Sequence, residues 1–178
     1  MTLDELGLEF ARSEVRVDRL IQNHDSEILN RTPAPNRWSA LQCIQHLVLA
    51  NELNTGALAR ALCKRPKLPA ADNERIQPGL VWRFLLRLVD PKAKLRGFAP
   101  RALRPATSLD PAETRRRFME THDTLRGLIR EYRRLDLNRI RFSHPGIHLR
   151  VSAGSTFWLL ALHENRHVQQ AERAVNGR

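Results

Sequence analysis

Helix-start signals recur along this chain. Thr2-Leu3-Asp4-Glu5 and Ser39-Ala40-Leu41-Gln42 each set a hydroxyl three residues ahead of Glu or Gln. In that pattern two side chains satisfy backbone N–H groups that a helix start leaves without partners. Asp110-Pro111-Ala112-Glu113 puts an acidic cap before a proline at the first helical position, where the missing N–H costs nothing. Behind each signal, apolar residues return at helical steps. Phe10, Val17, Ile21 and Ile28 stripe a first helix, which Asn30 to Asn36, with Pro33 and Pro35, ends. A second runs to about Cys63 and carries Cys43, His46, Ala50, Leu53 and Ala57 on one face. A third passes through Phe118, Leu125, Leu128 and Ile129 to about Leu135. After the turn His144-Pro145-Gly146, a fourth is capped near Ser152 or Ser155 and runs to about Val175. Only a weak stretch from Ile147 to Val151 has strand character. The chain reads as an all-α bundle.

Between the second and third helices the pattern breaks. Six of the ten prolines (Pro66, Pro69, Pro78, Pro91, Pro100 and Pro105) fall within residues 64–107, which forbids a long helix there. Inside this excursion Gly79 to Val89 reads as a short extra helix, with Val81, Trp82, Leu85, Leu86 and Val89 apolar. A segment of this kind either walls a pocket or simply packs on the bundle, and packing is the favoured reading.

The 178 residues suit one domain, 1–178, large enough to fold around its own core. The two cysteines, Cys43 and Cys63, sit in one helix, roughly 30 Å apart at 1.5 Å per residue, so they cannot bridge. Unpaired thiols suit a reducing cytoplasm. The N-terminus shows no basic segment leading into an apolar one, and the most hydrophobic run, Gly79 to Val89, carries Arg83 and Arg87 and is too short for a membrane span. The formal charge of +11 raises the possibility of a basic nucleic-acid-binding module. The arginines are scattered, however, with no interleaved aromatic residues and no nucleic-acid-binding motif spacing, which favours a solvated basic face.

Chemistry concentrates in His163-Glu164-Asn165-Arg166-His167. Histidines four apart lie one turn apart on one helix face, so both imidazoles can reach a single ion. Leu159, Leu160, Ala171 and Ala174 share that face, which points the pair inward. The string also satisfies H-E-x-x-H, the zinc-protease signature with Glu as general base. Against a true protease of that kind, no histidine follows His167, and Glu172 lies about 140° round the helix from it. A third ligand must come from elsewhere, and His46, unexpected on an apolar stripe, is the obvious donor. Taken alone, His46 is better read as a core imidazole satisfied by a carbonyl or a Gln side chain.

Two elements together resemble a known family. Arg37-Trp38-Ser39-Ala40-Leu41-Gln42-Cys43-Ile44-Gln45-His46-Leu47 is similar to the Trp-Ser-x₆-His-Leu element of the DinB/YfiT-like superfamily of metal-dependent enzymes. His163 to Gln170 is similar to its His-x-x-Arg-His-x-x-Gln element, and the resemblance spans roughly residues 3 to 175. It implies a four-helix bundle of up-down-down-up topology, commonly a homodimer, with a divalent ion (Zn, Ni or Fe) on His46, His163 and His167. Relatives include thiol-dependent S-transferases and a mycothiol-dependent maleylpyruvate isomerase; DNA binding is not implied.

Three neutral imidazoles leave a coordination position open, as catalytic sites do. Hydrolysis by activated water, or transfer of a low-molecular-weight thiol to a small-molecule electrophile, both fit. Glu164 is a candidate catalytic base, though it points about 100° away from His163 and could equally support a ligand or face solvent. A non-catalytic metal-binding bundle is the alternative. His24, His122, His144 and His148 have no partner at ligand spacing and receive no role.

Overall fold

The computed structural model describes residues 1–64, 75–79, 86, 99–145 and 149–177. The expected caps form. Thr2 Oγ1 accepts from the Glu5 N–H at 3.1 Å, and Glu5 Oε2 accepts from the Thr2 N–H at 2.7 Å, opening α1 (Leu3–Gln22). The first helix is two helices rather than one. α1 stops at Gln22, and Asp25 Oδ1 accepts from the Ile28 N–H at 2.8 Å to start α2 (Ser26–Asn30). The apolar stripe hides this break, because Ile21 and Ile28 pack on the same cluster from either side of it. Ser39 and Gln42 form the second reciprocal cap, at 3.2 and 3.0 Å, ahead of α3 (Ala40–Cys63). Asp110 caps α4 (Pro111–Tyr132) and Ser152 caps α5 (Ala153–Val175). The expected strand stretch has a partner that escaped the sequence reading: β1 (Arg141–Ser143) pairs antiparallel with β2 (Arg150–Ser152), Phe142 opposite Val151.

Two apolar clusters fix the helix directions. Leu3, Leu6 and Phe10 at the start of α1 share one with Leu58 and Leu62 at the end of α3, Leu125 and Leu128 late in α4, and Phe157 and Leu160 early in α5. Val17 and Leu20 share the other with Leu41, Ile44, Phe118, Val168 and Ala171, from the opposite ends of those helices. So α1 and α5 run one way and α3 and α4 the other, which is up-down-down-up. The main neighbours of α1 and of α3 are the same two helices, α4 and α5.

Successive helices running the same way need a connection as long as the bundle. At 24 residues α3 is about 36 Å long, which accounts for the Pro-rich excursion. The short helix expected at Gly79 to Val89 lies outside the described residues, apart from Gly79 and Leu86. The returning chain is tied beside α3. The Ala106 N–H donates to Gln45 Oε1 at 2.6 Å, and Gln42 Nε2 donates to the Ala106 carbonyl at 3.0 Å. Asn30 makes bonds of 3.0 Å with both the N–H and the carbonyl of Leu109. α3 is consequently buried on nearly every side. Several of the arginines pair across helices, as in Arg16–Glu172 at 2.7 Å and Arg117–Glu52 at 2.6 Å. No described helix is long and apolar enough to cross a membrane.

Candidate metal centre

His46 lies in the second turn of α3, and His163 and His167 lie midway along antiparallel α5, so the packing of these two helices brings the rings together. One nitrogen from each of the three falls within 4.8 Å of one nitrogen from each of the others, a grouping able to hold a metal ion. Ring centroids stand 4.6 to 5.0 Å apart in edge-on pairs. The returning chain orients His46: its Nδ1 lies 2.7 Å from the Leu103 carbonyl. A carbonyl only accepts, so Nδ1 carries the proton and Nε2 keeps its lone pair. That Nε2 faces His163 Nε2 at 3.2 Å. Two nitrogens bound tetrahedrally at ~2.0–2.1 Å would stand about 3.3 Å apart, so the spacing fits a zinc-sized ion. His46 thus has the carbonyl partner that a core imidazole needs and still offers its other nitrogen to the centre. The Trp38 indole covers His46 and His167, with centroids 4.8 and 5.9 Å away.

All three rings are held neutral. Burial, then the neighbouring His46 and Arg166, push His163 down to about 3. Burial, followed by His163, His46 and Arg166, puts His167 well below its ordinary value. Burial lowers His46 against the opposing pull of the Leu103 carbonyl. Neutral imidazoles are the ligand form. Cys43, one turn before His46, is wholly buried, and burial pushes its thiol up to about 12, which suits an inert packing residue.

Glu164 is not in this grouping. The buried stripe of α5 runs through Leu160, Ala161, Glu164, Val168 and Ala171, with the half-buried histidines at its edge. The Glu164 side chain has no exposure at all. Asn51 Nδ2 donates to its Oε1 at 2.9 Å, and His122 Nε2 stands 3.1 Å from the same oxygen. His122, left without a role on sequence grounds, therefore has a carboxylate on each side: its Nδ1 is hydrogen-bonded to Glu14 Oε1 at 2.9 Å, and its Nε2 lies at ion-pair distance from Glu164. Burial raises Glu14, but hydrogen bonds from His122 and Arg126 outweigh it and leave the carboxyl below its usual range. The signal for His122 was its place between Phe118 and Leu125 on the apolar stripe of α4. Of the other histidines, His24 Nδ1 meets the Leu20 carbonyl at 2.9 Å, burial lowers His144 to about 4, and His148 lies outside the described residues.

A bundle whose parallel middle helices are joined by a long crossover, with three histidines from two helices converging on one point, defines a class. The sequence profile of the DinB superfamily matches residues 9–171, and the chain belongs to that superfamily. Among solved structures it is similar to YfiT from Bacillus subtilis, described as a probable metal-dependent hydrolase with an unusual four-helix bundle topology. The TM-score is 0.65 at 14% identity, over 98% of this chain and 86% of that one. A search of curated proteins returns no match.

Proposed function

We propose that this protein is a metal-dependent hydrolase acting on a small molecule, with a divalent ion held by His46, His163 and His167. The observation that carries the reading is the convergence of three neutral imidazole nitrogens, one with its lone pair aimed inward by the Leu103 carbonyl. When bound, such an ion supplies Lewis-acid activation of water or of a substrate oxygen. The chain's own residues do the remainder. Leu103 fixes the tautomer and direction of His46, Trp38 shields one side of the rings, and burial keeps them unprotonated. Hydrolysis, rather than thiol transfer, is favoured by the description of the structural neighbour. The free thiols of Cys43 and Cys63, on one helix, support a reducing, cytoplasmic setting. Leu8 and Val15, exposed seven residues apart on α1, support the homodimer that the family resemblance implies. The test is a hydrolysis screen of small esters, amides and lactones. We expect turnover that chelation abolishes, that zinc, nickel or iron restores, and that His163→Ala lacks. Metal-independent turnover unchanged in His163→Ala would contradict the proposal.

A further inference from the structure

Beside the histidines a second polar cluster draws one side chain from each long helix: Glu14 from α1, Asn51 from α3, His122 from α4 and Glu164 from α5. Asn51, His122 and Glu164 have no solvent exposure, so a partner lost here is not replaced by bulk water. Arg126 at the rim pairs with Glu14, and the charges alternate from Glu164 outward. We propose that this cluster, through the Asn51–Glu164 bond, sets the register of α3 against α5 and thereby aligns His46 with His163 and His167. Glu164 is then a positioning residue. The inference rests on the metal reading of the three histidines.

The geometry explains why such a device is needed. The ligands come from two antiparallel helices, and an ion tolerates only a few tenths of an ångström in each bond. Much of the surrounding contact is apolar: Leu47, Ala50, Ala161, Val168. Apolar burial is non-directional and discriminates poorly between small helix slides. One residue of slip displaces a helix by about 1.5 Å, enough to break the site. A hydrogen bond of 2.9 Å from a buried amide to a buried carboxylate exists in one register only. Slipping would strand a carboxylate away from water, and fixing register is the best-attested use of buried polar groups. Asn51 lies five residues from His46 and Glu164 one residue from His163, so the pin stands close to the ligands on both helices.

The test compares zinc affinity, by chelator competition at one pH, with thermal stability of the metal-free full chain. The variants are Asn51→Leu, Glu164→Met and Thr55→Val. The Thr55 hydroxyl bonds only to carbonyls of α3 itself, Asn51 at 2.7 Å and Glu52 at 3.3 Å, so its loss lowers stability without touching the link. We expect Asn51→Leu and Glu164→Met, which each remove the bond, to weaken zinc binding roughly tenfold or more, while Thr55→Val keeps wild-type affinity and melts lower. Wild-type zinc affinity in folded Asn51→Leu and Glu164→Met would overturn the proposal. So would a general-base signature, lost turnover at unchanged affinity. If Asn51→Leu does not fold, Glu164→Met decides, since it removes the same bond at similar size and leaves no carboxylate without a partner. A wild-type chain that takes up no zinc, nickel or iron overturns the metal reading itself, a failure distinct from equal affinities among the variants.

Discussion

Raising the pH of the metal-free protein from about 6 to about 9.5 should remove most of the charge that His122 carries between the buried Glu164 and the half-buried Glu14. Burial is the largest single influence on this ring and favours its neutral form, but Glu164 and Glu14 together outweigh it and carry the group up to about 9. In the unfolded chain the same ring titrates near ~6.5. The folded state therefore holds the proton more tightly. The stabilisation is complete below about 6.5 and is lost as pH rises through about 9. At ~1.4 kcal/mol per pH unit, the interval from about 6.5 to about 9 corresponds to roughly 3 kcal/mol. The assay is urea unfolding at steps between pH 6 and 9.5, for wild type and His122→Gln side by side. Cys43 also loses stabilising influence at high pH, because its folded thiol is pushed up to about 12. That loss begins only above ~8.5 and occurs in both proteins, so subtraction removes it. The difference in unfolding free energy should shrink by about 3 kcal/mol across the window. A difference that stays flat would refute the charged His122 bridge.

Phe118 is wholly buried with its ring 4.3 Å from that of His122, so Phe118→Ala should cost ~3–5 kcal/mol in the same urea assay. Ser39→Ala removes the acceptor for the Gln42 N–H at the start of α3 and should cost about 1 kcal/mol, read as a lower unfolding midpoint. Arg16→Met breaks a two-point pairing with Glu172, but the side chains are 30% and 38% exposed. The expected change is at most about 1 kcal/mol, shrinking as salt is added.

How much of this was legible depended on how local each signal is. The cap residues and the apolar spacing lie within one or two turns, and Thr2, Ser39, Asp110 and Ser152 all cap the helices that the sequence assigns to them. Direction was not local. It came from the family resemblance, and physically it follows from which helix ends share a core. The break after Gln22 was masked because Ile21 and Ile28 keep a helical interval across it. The hairpin was half-read, since Phe142 and Val151 alternate over only three residues each. The three histidines could be linked only by joining two motifs 117 residues apart. Glu164 and His122 are polar residues on apolar stripes, and each has a partner that sequence alone does not name. Their partners lie on other helices, with Asn51 113 residues from Glu164 and Glu14 108 residues from His122.

Stoichiometric metal uptake tests the account most directly. Metal-stripped wild-type chain titrated with zinc, nickel or iron should take up one ion per chain. His46→Ala, shown by circular dichroism to remain helical, should lose that uptake although both histidines of α5 are intact. Saturable uptake undiminished in His46→Ala, or no uptake by the wild type, would contradict the three-histidine centre.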